Sequence, residues 1–190
     1  EKGDSTHWLE LLNFVQTQDL NDPAVFASLE SRVDLDSFID FIAAESYGNN
    51  TSWFHNREFW RPRTPGGKWQ WFVPDMDRTI ATSQLNSRIL RDMLASETLL
   101  VRLKTSTVFR HRLAQRFAAH MASTFLPSRI IGIVDQMATE VEKEAPRHSA
   151  RWGSKGGMTA SSRACNSASP AASTGSDQYS VPSSNTSRSP

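Results

Sequence analysis

Two short polar segments, separated by an aromatic-rich stretch, contain the side chains that could do chemistry. Asn49, Thr51 and Asn56 lie in GNNTSWFHN, and Asp75 and Asp77 follow KWQWFV. Phosphoryl transfer to a hydroxyl requires metal ions held against the phosphates, and Mg²⁺ prefers carboxylate and amide oxygens as ligands. The arrangement has the layout of a kinase phosphoryl-transfer site, in which Asn56 is followed by a hairpin and then by Asp75 and Asp77. By themselves, two acids spaced i and i+2 after a strand are more often turn or cap residues than metal ligands.

Position 51 departs from this pattern. In a kinase catalytic loop, an aspartate base stands five positions before the metal-binding asparagine, and five positions before Asn56 is Thr51. A threonine hydroxyl has a pKa far too high to replace a carboxylate base. We therefore expect this chain not to transfer phosphate.

Three helices between residues 8 and 47 must carry the chain to this loop. Asp22 and Pro23 have the residue types of an N-cap and a first helical position. The third helix has an apolar face and stops near Gly48. This helix is expected to deliver the polar loop.

A β-hairpin is predicted between residues 57 and 73. Aromatic runs flank Pro65-Gly66-Gly67, which is strong turn chemistry. Four of the chain's six tryptophans lie in or beside this hairpin: Trp53, Trp60, Trp69 and Trp71. Half-buried cross-strand packing is a better interpretation of such aromatics than a sugar-stacking platform.

Helices are predicted again after Asp77, at about 84–94, 97–104, 107–124 and 128–144. The last carries an apolar stripe that predicts core packing, formed by Ile130, Ile131, Val134, Met137 and Val141. Basic residues interleave with apolar ones, which indicates a solvated face and not a nucleic-acid surface. They are Arg88, Arg91, Arg102, Lys104, Arg110, Arg112 and Arg116.

Composition narrows the possible partners. The 190 residues include 21 basic and 20 acidic side chains, a formal net charge of +1, which gives no electrostatic reason to expect nucleic acid. The single cysteine, Cys165, cannot form a disulfide within the chain. His55 and His148 lack neighbours at zinc-ligand spacing. No apolar run has the length of a membrane span.

The character of the sequence changes after Trp152. Residues 154–190 are rich in Ser, Ala and Pro and carry few apolar side chains. Such a segment cannot bury enough surface to offset its ordering entropy, so we predict a disordered tail. So abrupt a change is also what a frameshift would produce. We expect an α+β, predominantly helical domain over 1–153, followed by this tail.

Three segments in this order resemble the spore-coat protein kinase (CotH kinase) family over residues 8–152. YGNNTSWFHNREFWR is similar to the family's Asn-x-Asp, Asn and Trp-Arg pattern, and GGKWQWFVPDMDRTI to its Gly-Lys-Trp-x-Trp lead into Asp-x-Asp. The third, from FRHRLAQRF to RHSARW, resembles a helical segment that ends in His-x-x-Arg-Trp.

The resemblance implies an atypical protein-kinase-like C-terminal lobe with the hairpin at its active site. The resemblance implies cofactor binding by Asn49 and Asn56. It implies that Asn56, Asp75 and Asp77 are metal ligands. Thr51 occupies the position at which the family has its catalytic aspartate. Which of Asp75 and Asp77 contacts the metal is left open.

The same resemblance implies partners and cofactors. Intact members would use ATP with Mg²⁺ or Mn²⁺ to phosphorylate Ser-rich coat or secreted proteins, in a bacterial secreted, cell-surface or spore-coat setting. The nucleotide-binding lobe would precede residue 1, so this chain is expected to be an inactive fragment that binds no cofactor productively. The alternative is a non-catalytic, pseudokinase-like surface scaffold or binding module.

Overall fold

A computed structural model describes residues 4–80, 83 and 86–153. These residues form eight α-helices and one small antiparallel sheet, which confirms the predicted predominantly helical fold with a hairpin. In chain order the elements are α1 (Thr6–Thr17), α2 (Pro23–Glu30), α3 (Leu35–Gly48), β1 (Glu58–Trp60), β2 (Gln70–Phe72), α4 (Ile89–Ser96), α5 (Thr98–Leu103), α6 (Thr107–Met121), α7 (Pro127–Glu142) and α8 (Ala145–Trp152). The predicted tail at 154–190 lies outside the described residues.

The chain divides into two compact units at Ile130. The first contains α1 to α6, the hairpin and the start of α7. The described part of the second contains the rest of α7 together with α8. No described helix is long and apolar enough to cross a bilayer.

The helix starts follow from capping chemistry. The Asp22 carboxylate accepts hydrogen bonds from the backbone N–H groups of Ala24 and Val25 at 2.7 and 3.2 Å, with Pro23 at the first position of α2. Asp34 caps α3 in the same way, accepting from the Ser37 N–H at 3.1 Å. The predicted cap at Asp22 is thus confirmed.

Helix α3 runs through the core of the first unit. Its side chains Phe38, Ile39 and Ile42 are completely buried. They pack in one apolar cluster with buried residues of α1, α4, α5 and α6, including Leu11, Val15, Met93, Leu99, Leu100, Leu103 and Phe109. Because α3 is held on several sides, its C-terminal end is a fixed platform for the loop that follows.

The hairpin pairs Phe59 with Trp71 across its two strands. Trp71 is 6% exposed and lies against Phe38 of α3, with ring centroids 4.6 Å apart. Trp69 and Phe59 are 5.6 Å apart and pack against Trp8 of α1. The expected aromatic packing is therefore found, except that Trp60 remains 50% exposed.

The turn of the hairpin requires glycine at one position. A Cβ on Gly67 would lie 2.3 Å from the Pro62 carbonyl oxygen, which no side chain tolerates. Trp69, just before β2, bonds to the connection between α2 and α3: the Asp34 N–H donates to the Trp69 carbonyl and the Trp69 N–H donates to the Arg32 carbonyl, each at 2.9 Å. These bonds hold the hairpin beside the start of α3.

The prediction that the basic residues form a solvated face is wrong for Arg102, Arg112 and Arg116. Arg112 bridges Glu30 at 2.6 Å and Asp36 at 2.8 Å, and Arg116 reaches Asp36 at 3.3 Å. Arg102 donates to the Val15 and Gln16 carbonyls at the end of α1. Acidic side chains of α2 and α3 face α6, so these guanidinium groups are ionic partners between helices.

The stripe on α7 also departs from its prediction, because neither α7 nor α8 contains a buried residue. Met137 is 62% and Val141 is 46% exposed. An apolar stripe indicates a face that could be buried, but burial needs a partner that the pattern does not supply. The residue pattern placed the end of the last helix at residue 144 and did not separate α8, which has Pro146 in its first turn, although the family resemblance implied a helical segment up to Trp152.

Candidate functional site

The polar loop begins where α3 stops. Asn49 adopts a left-handed backbone with φ of 53°, and its N–H donates to the carbonyls of Glu45 and Ser46. Asparagine tolerates this conformation better than most residues, which explains how a helix ends here without glycine in the cap position. The chain then turns through residues 51–55.

The segment after β2 returns to this same helix end. The Ile80 N–H donates to the Gly48 carbonyl at 2.8 Å, and a Cβ on Gly48 would lie 2.8 Å from Met76 Cε. Asp75 itself has a left-handed backbone with φ of 46°. The absence of a side chain at Gly48 therefore lets the Asp75–Ile80 segment approach the loop.

Asn50 joins the two segments and is completely buried. Its Oδ1 accepts from the N–H and the hydroxyl of Ser52 at 3.0 and 2.8 Å, and its Nδ2 lies 3.4 Å from the Asp75 carbonyl oxygen. The sequence analysis did not select Asn50. The available signal was its spacing from Ser52, which is that of an Asx-turn.

Asn56 and Asp75 are brought into contact. The Asn56 Nδ2 donates to Asp75 Oδ2 at 3.2 Å, and lies 3.3 Å from the Ser52 hydroxyl and 3.4 Å from the Asp75 carbonyl oxygen. Two residues separated by 19 positions thus form one pair, which we call the Asn56–Asp75 pair. Asp77 is exposed and makes no hydrogen bond or ion pair with the described part of the chain.

Thr51 lines a surface groove to which the Asn56–Asp75 pair does not contribute. It lines an open groove of about 530 Å³ together with Trp53, Arg88 and Asp92, whereas Asn56, Asp75 and Asp77 do not line this groove. Thr51 and Asn49 belong to the same loop as Asn56. The catalytic and cofactor-binding roles of Thr51 and Asn49 remain predictions.

Two buried carboxyl groups near the loop were missed by the sequence analysis. Glu45, on the last turn of α3, is 0% exposed, and burial raises its pKa to about 7. Glu97 is 4% exposed, and burial also raises the pKa of this carboxyl, against the effect of the Leu100 N–H that it accepts at 2.6 Å. Neither residue belongs to a motif, so only burial reveals them.

The side-chain oxygens of Asn56 and Asp75 are of the kind that a hard divalent cation such as Mg²⁺ prefers as ligands. Asn56 Oδ1 and Asp75 Oδ1 accept no hydrogen bond from described residues, although it is the amide nitrogen of Asn56, and not its oxygen, that is turned toward Asp75. No group of three His, Cys, Asp or Glu suited to a metal occurs within the described residues. Mg²⁺ commonly takes one or two carboxylates and completes its shell with water and phosphate, so two protein oxygens are compatible with its chemistry.

Comparison with known proteins gave one match. The family described as CotH kinase protein matches residues 1–175 of the chain. No curated protein and no solved structure matched.

Proposed function

The chain belongs to the CotH kinase protein family, and from that premise we propose that it binds a divalent cation at the Asn56–Asp75 pair without transferring phosphate. Membership in this family supports an atypical kinase-like function. The cation, its ligands and the lack of turnover are the proposal.

The contact between Asn56 and Asp75 carries the proposal. A metal-binding asparagine and a carboxylate from a following hairpin are the two protein ligands that hold Mg²⁺ in kinase sites. Here the amide nitrogen of Asn56 contacts Asp75 Oδ2 at 3.2 Å, and the proposal is that on metal binding this amide turns, so that its Oδ1 and an Asp75 carboxylate oxygen contact the cation. When bound, the metal would neutralise charge on nucleotide phosphates.

Asp75 is proposed as the main carboxylate ligand, because it is the one in contact with Asn56. Asp77 is exposed and without a described partner, so its side chain is available as a further ligand. Replacing each aspartate separately distinguishes their contributions.

The proposed lack of turnover rests on Thr51. A kinase needs a carboxylate to orient and accept the proton of the substrate hydroxyl, and a threonine hydroxyl does not do this at neutral pH. The protein substrate that this family implies, a Ser-rich coat or secreted protein, would then be bound without being phosphorylated.

A direct assay tests this statement. The chain is incubated with labelled ATP, Mg²⁺ or Mn²⁺ and a Ser-rich protein, and label on the protein is measured. We expect none above the background of a heat-denatured control. Clear incorporation that is lost in Asp75→Ala or Asp77→Ala would contradict the proposed inactivity.

A second candidate function is a non-catalytic binding module. Phe54 and Trp60 are each 50% exposed close in sequence to the loop and hairpin, and exposed aromatics are typical anchors of protein interfaces. Metal-dependent stabilisation separates the two candidates, since a ligand that binds only the folded state raises its stability. A chain whose melting temperature is unchanged by Mg²⁺, Mn²⁺ and Ca²⁺ would favour the binding module.

A further inference from the structure

A surface groove lies between the start of α1 and the hairpin. Its volume is about 690 Å³, within the range of about 300–1,000 Å³ that is usual for ligand sites. The residues that line it include Trp8, Phe59, Trp60, Arg61, Arg63 and Trp69. We call it the hairpin groove.

Three aromatic rings that line the hairpin groove contact one another. The ring centroid of Trp8 lies 4.5 Å from that of Phe59 and 5.3 Å from that of Trp69, and the Phe59 and Trp69 centroids are 5.6 Å apart. All three side chains are only partly buried, so apolar surface remains open to a ligand. The rings are inclined to one another by 33°, 73° and 67°. They therefore present a stepped apolar surface that suits side chains better than a stacked sugar ring.

Arg61 places a positive charge beside these rings. Its Nε donates to the Gly67 carbonyl at 2.9 Å, and its side chain is partly buried. Its Nη atoms make no hydrogen bond or ion pair with the part of the chain that the structure describes. Because a guanidinium binds carboxylates through paired N–H donors, Arg61 can bind an acidic group of a ligand.

A second, smaller groove adjoins the first. It measures about 290 Å³ and shares His7, Arg61 and Trp69 with the hairpin groove. Arg32 also lines it, with its guanidinium carbon 4.7 Å from the Phe14 ring centroid and no ion pair to a described residue. Arginines therefore recur along two adjoining grooves, which fits an extended ligand and not a single small ion.

The acidic residues of the two grooves do not remove this positive charge. Of the described residues that line them, Asp4 and Glu10 are acidic, whereas Arg32, Arg61 and Arg63 are basic. Asp4 already pairs with Arg63 at 3.1 Å. A complementary partner would therefore carry negative charge.

We propose that the two adjoining grooves bind an acidic peptide segment of a partner protein. Its carboxylates contact Arg61 and Arg32, and its apolar side chains pack on the aromatic rings. Neither Asn56 nor Asp75 lines these grooves, so the inference goes beyond the cation site, and failure of either one leaves the other standing.

Fluorescence anisotropy of a labelled peptide with the full chain tests the proposal. The probe is a short peptide in which glutamate alternates with phenylalanine, and two control peptides replace either every Glu by Gln or every Phe by Gly. We expect saturable binding of the probe and at least about tenfold weaker binding of each control peptide.

Two variants locate the binding surface. Arg61→Gln removes the charge, and Trp60→Ala removes a ring that is 50% exposed. Arg129→Gln and Trp152→Ala are the matched controls, since both residues are exposed and line neither groove. We expect about tenfold weaker probe binding in the first pair and parent-like binding in the second. If Arg61→Gln melts earlier because the contact with Gly67 is lost, Trp60→Ala decides the test.

The proposal would be overturned if the parent did not bind the probe, or bound the Gln-substituted peptide equally well. Equal losses in the groove variants and their controls would also contradict it. A labelled oligomer of glucuronic acid is the competing ligand: tighter binding of this oligomer than of the peptide would assign the grooves to an acidic glycan and overturn the peptide proposal.

Discussion

Glu45 and Glu97 are both buried carboxyls, yet only one of them is paired. Glu97 accepts the Leu100 N–H at 2.6 Å and caps α5, whereas neither Glu45 oxygen has a hydrogen-bond partner among the described residues. Substitution of Glu97 should therefore cost a helix cap, whereas substitution of Glu45 should not. A cap stabilises its helix, while an unpaired buried carboxyl opposes folding as soon as it ionises.

The pH dependence of the free energy of unfolding reports on the ionisation of the Glu45 carboxyl. Its pKa is raised from 4.5 to about 7 by burial, so between these values the folded state holds more protons than the unfolded state, and stability falls as pH rises. Glu45→Gln removes this loss. We expect the variant to gain about 2–3 kcal/mol relative to the parent between pH 4.5 and pH 8, measured by urea unfolding at each pH.

Glu97→Gln is the matched control for that series. The substitution weakens the α5 cap, which costs about 1 kcal/mol, and because burial also raises the pKa of Glu97, this cost should be partly offset as pH rises. If Glu45→Gln also lost stability at pH 8, the unpaired environment assigned to Glu45 would be wrong.

At the scale of the elements, ion pairs add to the apolar packing between α3 and α6. Arg112, Arg116 and His120 contact Asp36 and Asp40. Burial acts to raise the pKa of Asp40, but hydrogen bonds from Arg116 and His120 outweigh it and hold that pKa below 3.8. Since the folded-state pKa is lowered, this stabilisation is present above pH 3.8 and is lost as pH falls below it.

Asp40→Asn should accordingly reduce stability by about 1 kcal/mol at pH 7, because it removes the carboxylate that accepts from Arg116 and from the His120 ring. The difference from the parent should shrink below pH 4. Asp92→Asn is the control: Asp92 pairs with the 71% exposed Arg91, and its loss should be close to neutral. Equal effects of the two substitutions would show that the α3–α6 contacts are no stronger than surface pairs.

The two faces of the hairpin differ in burial, so truncating a tryptophan on each face should change stability by different amounts. Trp71 is 6% exposed against α3, and Trp60 is 50% exposed. Truncating a buried tryptophan typically costs about 3–5 kcal/mol, so Trp71→Ala should unfold at much lower denaturant, while Trp60→Ala should stay within about 1 kcal/mol of the parent. A severe loss in Trp60→Ala would mean that the exposed face is packed after all.

At the scale of the whole molecule, helix starts and turns were predictable from the sequence, whereas contacts between residues far apart in the chain were not. Asp22 with Pro23 indicated the start of α2, and the turn at Gly66 and Gly67 indicated the hairpin, because these signals lie within a few residues of the structure they form. The contact of Asn56 with Asp75 was anticipated only as a shared site. Their 3.2 Å hydrogen bond depends on how Gly48 lets the later segment approach.

Features set by distant partners were missed or misjudged. Arg112 and Arg116 have the spacing of a solvated face, and only the fold brings Asp36 and Asp40 opposite them. Glu45 follows a buried apolar run without any motif, so its burial is visible only in three dimensions. The apolar stripe of α7 had the pattern of a core face and is not buried.

The central claim is that the Asn56–Asp75 pair binds a divalent cation, and Mn²⁺ calorimetry on the chain tests it most directly. Three proteins suffice: the parent, Asp75→Asn, and as control Asp135→Asn, an exposed aspartate on α7. We predict saturable binding of about one Mn²⁺ by the parent and the control, as expected for a site of this ligand chemistry, and at least a tenfold weaker affinity in Asp75→Asn. Binding that is absent from the parent, or unaffected by Asp75→Asn, would contradict the claim.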